Sequence, residues 1–201
     1  MQKKYFLGDF NTSKIYSSKT GFFIICNQFW KHKNHKILFK AINFLKSKNR
    51  KINIVCTGDK FDNRWQEYIH DLTNYIKMNE LSDRVFILGK IRKNDLYSLF
   101  HYCTALINPS FSEGWNTAVE EAKSIGKKTI LSNIKVHIEQ DKDGIFFNPN
   151  DYKKLSSIML ENWNKNSWIK RKEKNYQKNI QNFGETYLKT LINLVKEKDI
   201  K

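Results

Sequence analysis

Glu113 and Glu121 lie either side of a seven-residue run in the segment Asn108-Pro-Ser-Phe-Ser-Glu113-Gly-Trp-Asn-Thr-Ala-Val-Glu-Glu121-Ala. A short apolar run ends before Pro109, a loop carries Glu113, Gly114 and Trp115, and helical spacing begins near Asn116 or Thr117. The start of a helix presents unpaired N–H groups and about half a positive charge, which together make an anion site. Gly114 lets backbone approach a ligand with no Cβ in the way. Glu121 falls about one turn into that helix, ~6 Å along its axis. A carboxylate beside an anion site is an odd choice for phosphate alone. It suits a phosphate that carries a vicinal diol, as a nucleotide ribose does, because one carboxylate can accept from both hydroxyls. Spacing alone leaves a plainer alternative open, in which Glu121 complements the helix dipole and Glu113 caps its start.

The second chemical segment is Asn27-Gln28-Phe-Trp-Lys31-His-Lys33-Asn-His35. Lys33 and the N–H groups near Asn34 are candidates for a second phosphate contact. By itself this stretch also reads as a solvated basic turn. The His32/His35 spacing has no cysteine or carboxylate set nearby, so no zinc site is expected.

Both segments must be placed by regular elements, and the chain supplies them. Phe22–Cys26, Ile52–Cys56, Val85–Leu88, Ala105–Ile107, Thr129–Leu131 and Ile145–Phe147 read as strands. Between them, apolar residues recur at helical spacing, as in Ile37, Leu38, Ala41, Ile42 and Leu45, and in Tyr68, Ile69, Leu72, Tyr75 and Ile76. Helices are also expected at 94–102 and 115–124 and after Asp151. Strand and helix alternating in this way imply βαβ crossovers, an α/β fold and a parallel sheet of about six strands flanked by helices. Ligands of such sheets sit at the carboxyl ends of the strands. The loops to read are therefore 27–34, 57–62, 89–93, 108–116 and 132–139. The expected organisation is a linker or domain remnant at 1–20, a Rossmann-like domain at 21–163 and a basic helical extension at 164–201.

Composition narrows the field. The chain has 201 residues, 40% of them hydrophobic and 14% aromatic, enough for a sizeable core and too many for a disordered chain. Its net charge is +16, and residues 165–201 hold ten Lys/Arg against four Asp/Glu. Such a field favours anionic partners without choosing among phosphorylated small molecules, acidic lipid and nucleic acid. No run approaches the 18 apolar residues of a membrane span, and the amino terminus lacks the apolar stretch of a secretory signal. Cys26, Cys56 and Cys103 are odd in number and flanked by apolar residues, so they read as reduced, buried thiols of a cytoplasmic protein. The eight glycines form neither a GxGxxG nor a P-loop pattern.

Taken together, residues 22–151 resemble the C-terminal, donor-binding domain of the group 1 (family 4, retaining) glycosyltransferases of GT-B fold. The resemblance rests on Glu113, seven residues, then Glu121-Ala122. Asn108-Pro109-Ser110 before it, Gly126 and Ser132 after it, and Gly144 with Asn150-Asp151 beyond support it. The run from Asn27 to His35 is similar to the first loop of bacterial surface-polysaccharide transferases.

The resemblance implies roles. Lys33 would neutralise the donor diphosphate, together with the N–H groups of Asn116 and Thr117. Glu121 would hold the ribose hydroxyls and Glu113 the hydroxyls of the transferred sugar. Backbone from Gly89 to Ile91 would meet the base. Gln28, Gly114 and Trp115 complete the expected donor site. Gln28 stands where relatives carry a second basic residue, and Asn116 where they carry a second glycine. The first removes a charge from the leaving phosphate, and the second narrows the approach to it.

The implied chemistry is retaining and metal-independent, with no Asp-x-Asp cluster and no cofactor beyond the nucleotide-sugar donor. The implied acceptor is a glycan or lipid-linked sugar. Only about twenty residues precede the first strand, so the acceptor domain is expected from elsewhere, as a protein partner or a missing segment. The Tyr187–Val195 stripe is expected to be a helix that crosses to that domain in relatives. The basic tail makes contact with anionic lipid on the inner face of the plasma membrane an expectation too. Nucleic acid is not an expected partner, because no recognised binding motif is present and the lysines are dispersed. The rival reading is an inactive scaffold derived from such a transferase.

Overall fold

The computed structural model describes residues 21–60, 67–163, 181–182, 184–190 and 192. Six strands run β1 (Phe23–Cys26), β2 (Ile54–Thr57), β3 (Val85–Gly89), β4 (Leu106–Asn108), β5 (Thr129–Ser132) and β6 (Ile145–Phe147). The helices are α1 (His35–Ser47), α2 (Glu67–Met78), α3 (Lys93–Tyr102), α4 (Thr117–Ser124), α5 (Lys135–Gln140) and α6 (Tyr152–Trp163), with a 3-10 turn at Lys31–Lys33.

All the strands pair in parallel, in the order β3-β2-β1-β4-β5-β6. Side chains of a strand alternate between faces, so a parallel sheet covered on both sides needs two cores. Phe23 and Ile25 of β1 enter the first, with Leu38, Ala41 and Ile42 of α1, Leu72 of α2 and Met159 of α6. Phe22 and Ile24 enter the second, with Leu99 and Phe100 of α3 and Val119 and Ala122 of α4. Val55 of β2 points to that second core while its neighbours Ile54 and Cys56 point to the first.

Strand order reverses between β1 and β4, which is the point where α/β sheets open a crevice at their carboxyl ends. The loops after those two strands are the two segments singled out in the sequence. The expected strands and helices are present, with ends shifted by a residue or two.

Helix α5 was expected as loop. Its inward residues are His137 and Gln140, whereas Ile138 is 47% exposed, so the usual apolar period is inverted there. Of the three free thiols, Cys56 and Cys103 are buried and Cys26 is half-buried, a partial correction to the expectation for Cys26.

Residues 1–20 and most of 164–201 lie outside the described residues. Residues 184–190 are helical, and Tyr187 and Leu188 on that stretch are exposed. Leu191 and Val195 of the expected stripe lie outside the description. Among the described residues no helix is long and apolar enough to cross a membrane.

Candidate donor site

The loop after β1 tightens into the 3-10 turn, and Asn34 ends it at φ 55. The Asn34 side-chain amide donates to the carbonyls of Pro109 (3.1 Å) and Pro149 (2.8 Å), tying the start of α1 to the loops after β4 and β6. The Phe111 N–H donates to the His32 carbonyl at 2.8 Å, a second tie between the same loops. These bonds hold Lys33 over the loop that carries Glu113.

Lys33 Nζ lies 2.6 Å from Glu113 Oε2, and both side chains are largely buried. The other carboxylate oxygen, Oε1, accepts from the Ser110 hydroxyl at 2.7 Å and the Asn116 amide at 3.1 Å. The Asn108 amide reaches the same oxygen at 3.4 Å. Behind this set, the Asn27 amide donates to Asn108 Oδ1 at 3.0 Å, and Asn116 Nδ2 donates to Asn27 Oδ1 at 3.2 Å. The ring of amides joins the carboxyl ends of β1 and β4 around one carboxylate. Burial by itself raises the Glu113 carboxyl, but Lys33, Ser110 and Asn116 outweigh it and hold the group below its ordinary value. Glu113 is therefore ionised at neutral pH.

Asn116 is the N-cap of α4, where its Oδ1 accepts from Val119 N–H at 3.2 Å. Its own N–H donates to Gln140 Oε1 at 3.4 Å, and Gln140 Nε2 donates back to the Asn116 carbonyl at 2.7 Å. The Asn116 N–H expected to face phosphate is thus engaged by Gln140. Thr117, exposed at the first position of α4, has an N–H with no partner inside the helix by construction. Gly114 is exposed, and a Cβ built there would meet nothing within 4 Å. Trp115 is exposed beside it, and Gln28 is exposed at the mouth of the first loop.

Glu121 is half-buried on α4. Burial pushes the Cys26 thiol up, and the Glu121 charge adds to that rise, so the carboxylate lies near the carboxyl end of β1. Gly89 ends β3 and Ile91 follows it, two strands from β1 and roughly 10 Å along the sheet edge. Gly89 is buried with φ +72, and the end of the Lys60 side chain packs where its Cβ would be. Ile91 is half-buried against the second core.

His35 is buried and stacked on Phe29, with ring centroids 4.3 Å apart. Burial lowers its pKa to about 3, so it is neutral. Among the described residues no three His, Cys, Asp or Glu side chains cluster as metal ligands would.

Sequence reading did not single out Asn27, Asn108 and Ser110 as the lining of the carboxylate, nor His137 and Gln140 of α5. The signal for the first three was available, since each stands just past the apolar run of a strand that the reading had already placed beside the crevice. The last two carried none, because α5 itself had not been expected.

The family model for glycosyl transferases group 1 matches residues 11–183. The chain belongs to that family. Among curated proteins it is 29% identical over 143 residues to the O-antigen chain mannosyltransferase RfbU of Salmonella typhimurium, covering 70% of this chain and 38% of that protein. It is 25% identical over 193 residues to protein CapJ of Staphylococcus aureus, covering 93% of this chain and 48% of that one. The chain thus spans about half or less of the length of these curated relatives.

Among solved structures, Anabaena HepE in complex with UDP superposes with a TM-score of 0.75 at 18% identity, over 91% of this chain and 52% of that one. An α,α-trehalose-phosphate synthase from Burkholderia vietnamiensis gives 0.76 at 12% identity, over 94% and 48%. These likenesses establish the fold, a Rossmann-like α/β domain.

Proposed function

We propose that this chain binds a nucleotide-diphosphate sugar and supplies the donor half of a retaining, metal-independent glycosyltransferase of surface-polysaccharide synthesis. The observation that carries this reading is the Lys33–Glu113 pair at the crevice between β1 and β4, beside the N-terminus of α4. The kinship to an O-antigen mannosyltransferase and to CapJ supports the polysaccharide setting. The UDP complex of HepE, a protein of the same fold, supports a nucleotide as ligand.

Transfer breaks the bond between the anomeric carbon and the phosphate oxygen, and the electron pair stays on the phosphate. Fixed positive potential at that phosphate is the lever a protein has for stabilising this change. Lys33 and the Thr117 N–H provide it, with the dipole of α4 behind them. Gln28 contributes no charge, so the leaving group relies on this one lysine more than a two-cation site would. Glu113, ionised and held on Oε1, accepts from hydroxyls of the sugar near the reacting carbon. Glu121 accepts from the ribose hydroxyls, and backbone from Gly89 to Ile91 borders the base. The acceptor, a glycan or lipid-linked sugar, approaches from the exposed side of Gly114 and Trp115. It is bound by an acceptor half outside these residues. Work at the inner face of the plasma membrane, aided by the basic tail, fits such an acceptor.

The test is titration calorimetry of the chain with UDP, GDP and the corresponding nucleosides. Diphosphates should bind and raise the melting temperature, while nucleosides do neither. An absence of heat and of thermal stabilisation with both diphosphates would favour the inactive scaffold instead.

A further inference from the structure

His137 lies on α5, outside both segments that define the donor site, and is fully buried. Its Nδ1 is 3.0 Å from the Ser132 carbonyl and 3.0 Å from Ser132 Oγ. The Ser132 hydroxyl spends its one proton on the Ser110 carbonyl, at 2.6 Å. Both oxygens facing Nδ1 therefore accept, and Nδ1 must carry the proton. Burial lowers the pKa of this histidine, which keeps the ring neutral with that single N–H. From Ser132 the chain of bonds continues: the Ser110 hydroxyl lies 2.7 Å from both Glu113 Oε1 and Asn108 Oδ1, and its one proton goes to the carboxylate, the stronger acceptor of the two. His137, Ser132, Ser110 and Glu113 thus form one relay across the carboxyl ends of β5 and β4.

The far nitrogen, Nε2, is enclosed with no hydrogen-bond partner among the described residues. An unpartnered buried acceptor is unfavourable, and a position with only a packing role would be better filled by an apolar ring. What the imidazole provides that an apolar ring cannot is the Nδ1–H.

We propose that His137 is a positioning residue for recognition of the transferred sugar: its Nδ1–H fixes Ser132, which fixes the Ser110 turn and so aims the Glu113 carboxylate at the sugar hydroxyls. This rests on the reading of Glu113 as the sugar contact, and it adds a third element, α5, to the control of that contact. Lys33 and the Asn116 cap of α4 also reach Glu113, but each is placed by bonds of its own, through Asn34 to Pro109 and Pro149 and through Gln140, rather than through His137. Loss of His137 therefore weakens the grip on the sugar and spares the grip on the nucleotide.

Calorimetry with UDP, GDP, UDP-glucose, UDP-N-acetylglucosamine and GDP-mannose separates the two. The quantity read is the affinity for a sugar nucleotide divided by that for its bare diphosphate. His137→Phe, which keeps a flat ring and removes the donor, should lower the ratio about tenfold at unchanged diphosphate affinity. His137→Asn, whose amide can donate to Ser132 from a similar position, should restore it. Ser132→Ala cuts the relay at its middle and should match His137→Phe, which keeps the test alive if the phenylalanine variant does not fold. An unchanged ratio in the Phe or Ala variants, equal loss of diphosphate and sugar nucleotide, or failure of Asn to rescue would each overturn the proposal. Failure of the wild-type chain to bind any diphosphate would instead strike the donor-site reading. Diphosphate binding with no gain from any of the sugars would strike the sugar contact, and this inference with it.

Discussion

Lys33 and Glu113, 80 positions apart, meet at 2.6 Å where the ends of β1 and β4 face each other. The cation expected to serve the diphosphate and the anion expected to serve the sugar are thus bonded to each other. Each fixes the other's place before any ligand arrives. Removing one partner leaves a largely buried charge short of a bond, which costs about 1–3 kcal/mol. Lys33→Ala should lower stability by about that amount in urea denaturation and also weaken diphosphate binding. The double variant with Glu113→Ala should lose less than the sum of the two single losses. Strict additivity would mean the pair contributes nothing.

The pair also sets an acid limit. The folded pKa of Glu113 is depressed from its ordinary 4.5, because the bonds from Lys33, Ser110 and Asn116 outweigh the opposing effect of burial. A depressed carboxylate contributes stability that is complete above its unfolded value and disappears as pH falls through the folded one. The stability difference between the wild-type chain and Glu113→Gln should be constant near neutral pH and shrink below about pH 4.5. Denaturation curves taken from pH 7 down to pH 3 would show it, and a constant difference throughout would contradict it.

The role proposed for Glu121 is to hold the ribose. A hydrogen bond to a charged acceptor contributes about 1.5–3 kcal/mol, so Glu121→Ala should weaken nucleotide binding roughly 10- to 100-fold. Unchanged affinity in titration calorimetry would remove Glu121 from the site.

Asn116 stands where relatives were expected to carry glycine, and its side chain explains why an amide suits this chain. It caps α4, donates to Glu113 and closes on Asn27 at once. Asn116→Ala removes all of these and should destabilise by about 1–2 kcal/mol from the cap alone. Asn116→Gly restores most of the capping tolerance but not the amide contacts. It should therefore recover part of that stability while leaving Glu113 less well held. Equal thermal stability of wild type and Asn116→Ala would show that the cap is dispensable.

The sheet and most helices were legible because apolar residues of a doubly covered sheet form short unbroken runs, and Phe22–Cys26 and Ile52–Cys56 are such runs. That Lys33 and Glu113 share one edge of the sheet was legible because each follows a strand just before a helix start. The lining of the carboxylate was harder to foresee. Which donors reach Glu113 Oε1 depends on loop geometry that Asn34 fixes through Pro109 and Pro149, contacts 75 and 115 positions away. Helix α5 was hidden for a different reason. Its buried face is His137 and Gln140, polar residues there to bond Ser132 and Asn116, so hydrophobic period points the wrong way.

Gly58 shows how closely the loops after β1, β2 and β3 are fitted. It has φ +136, in the region that side chains rarely adopt, and its N–H donates to the Gly89 carbonyl at 3.0 Å. A Cβ there would stand 2.1 Å from the Asn27 carbonyl oxygen and 2.9 Å from the Gln28 nitrogen, both backbone atoms with little freedom to retreat. Gly58→Ala must push the loop after β2 away from the loop after β1. That displaces Asn27 from Asn108 and Asn116, and Gly89 from its partner. Strain and overpacking together should cost at least about 3 kcal/mol. The expected result is a melting temperature well below wild type, and weakened diphosphate binding in whatever fraction folds. Wild-type melting in the alanine variant would mean that the loops after β1 and β2 do not approach this closely, and the amide ring around Glu113 would lose its outer support.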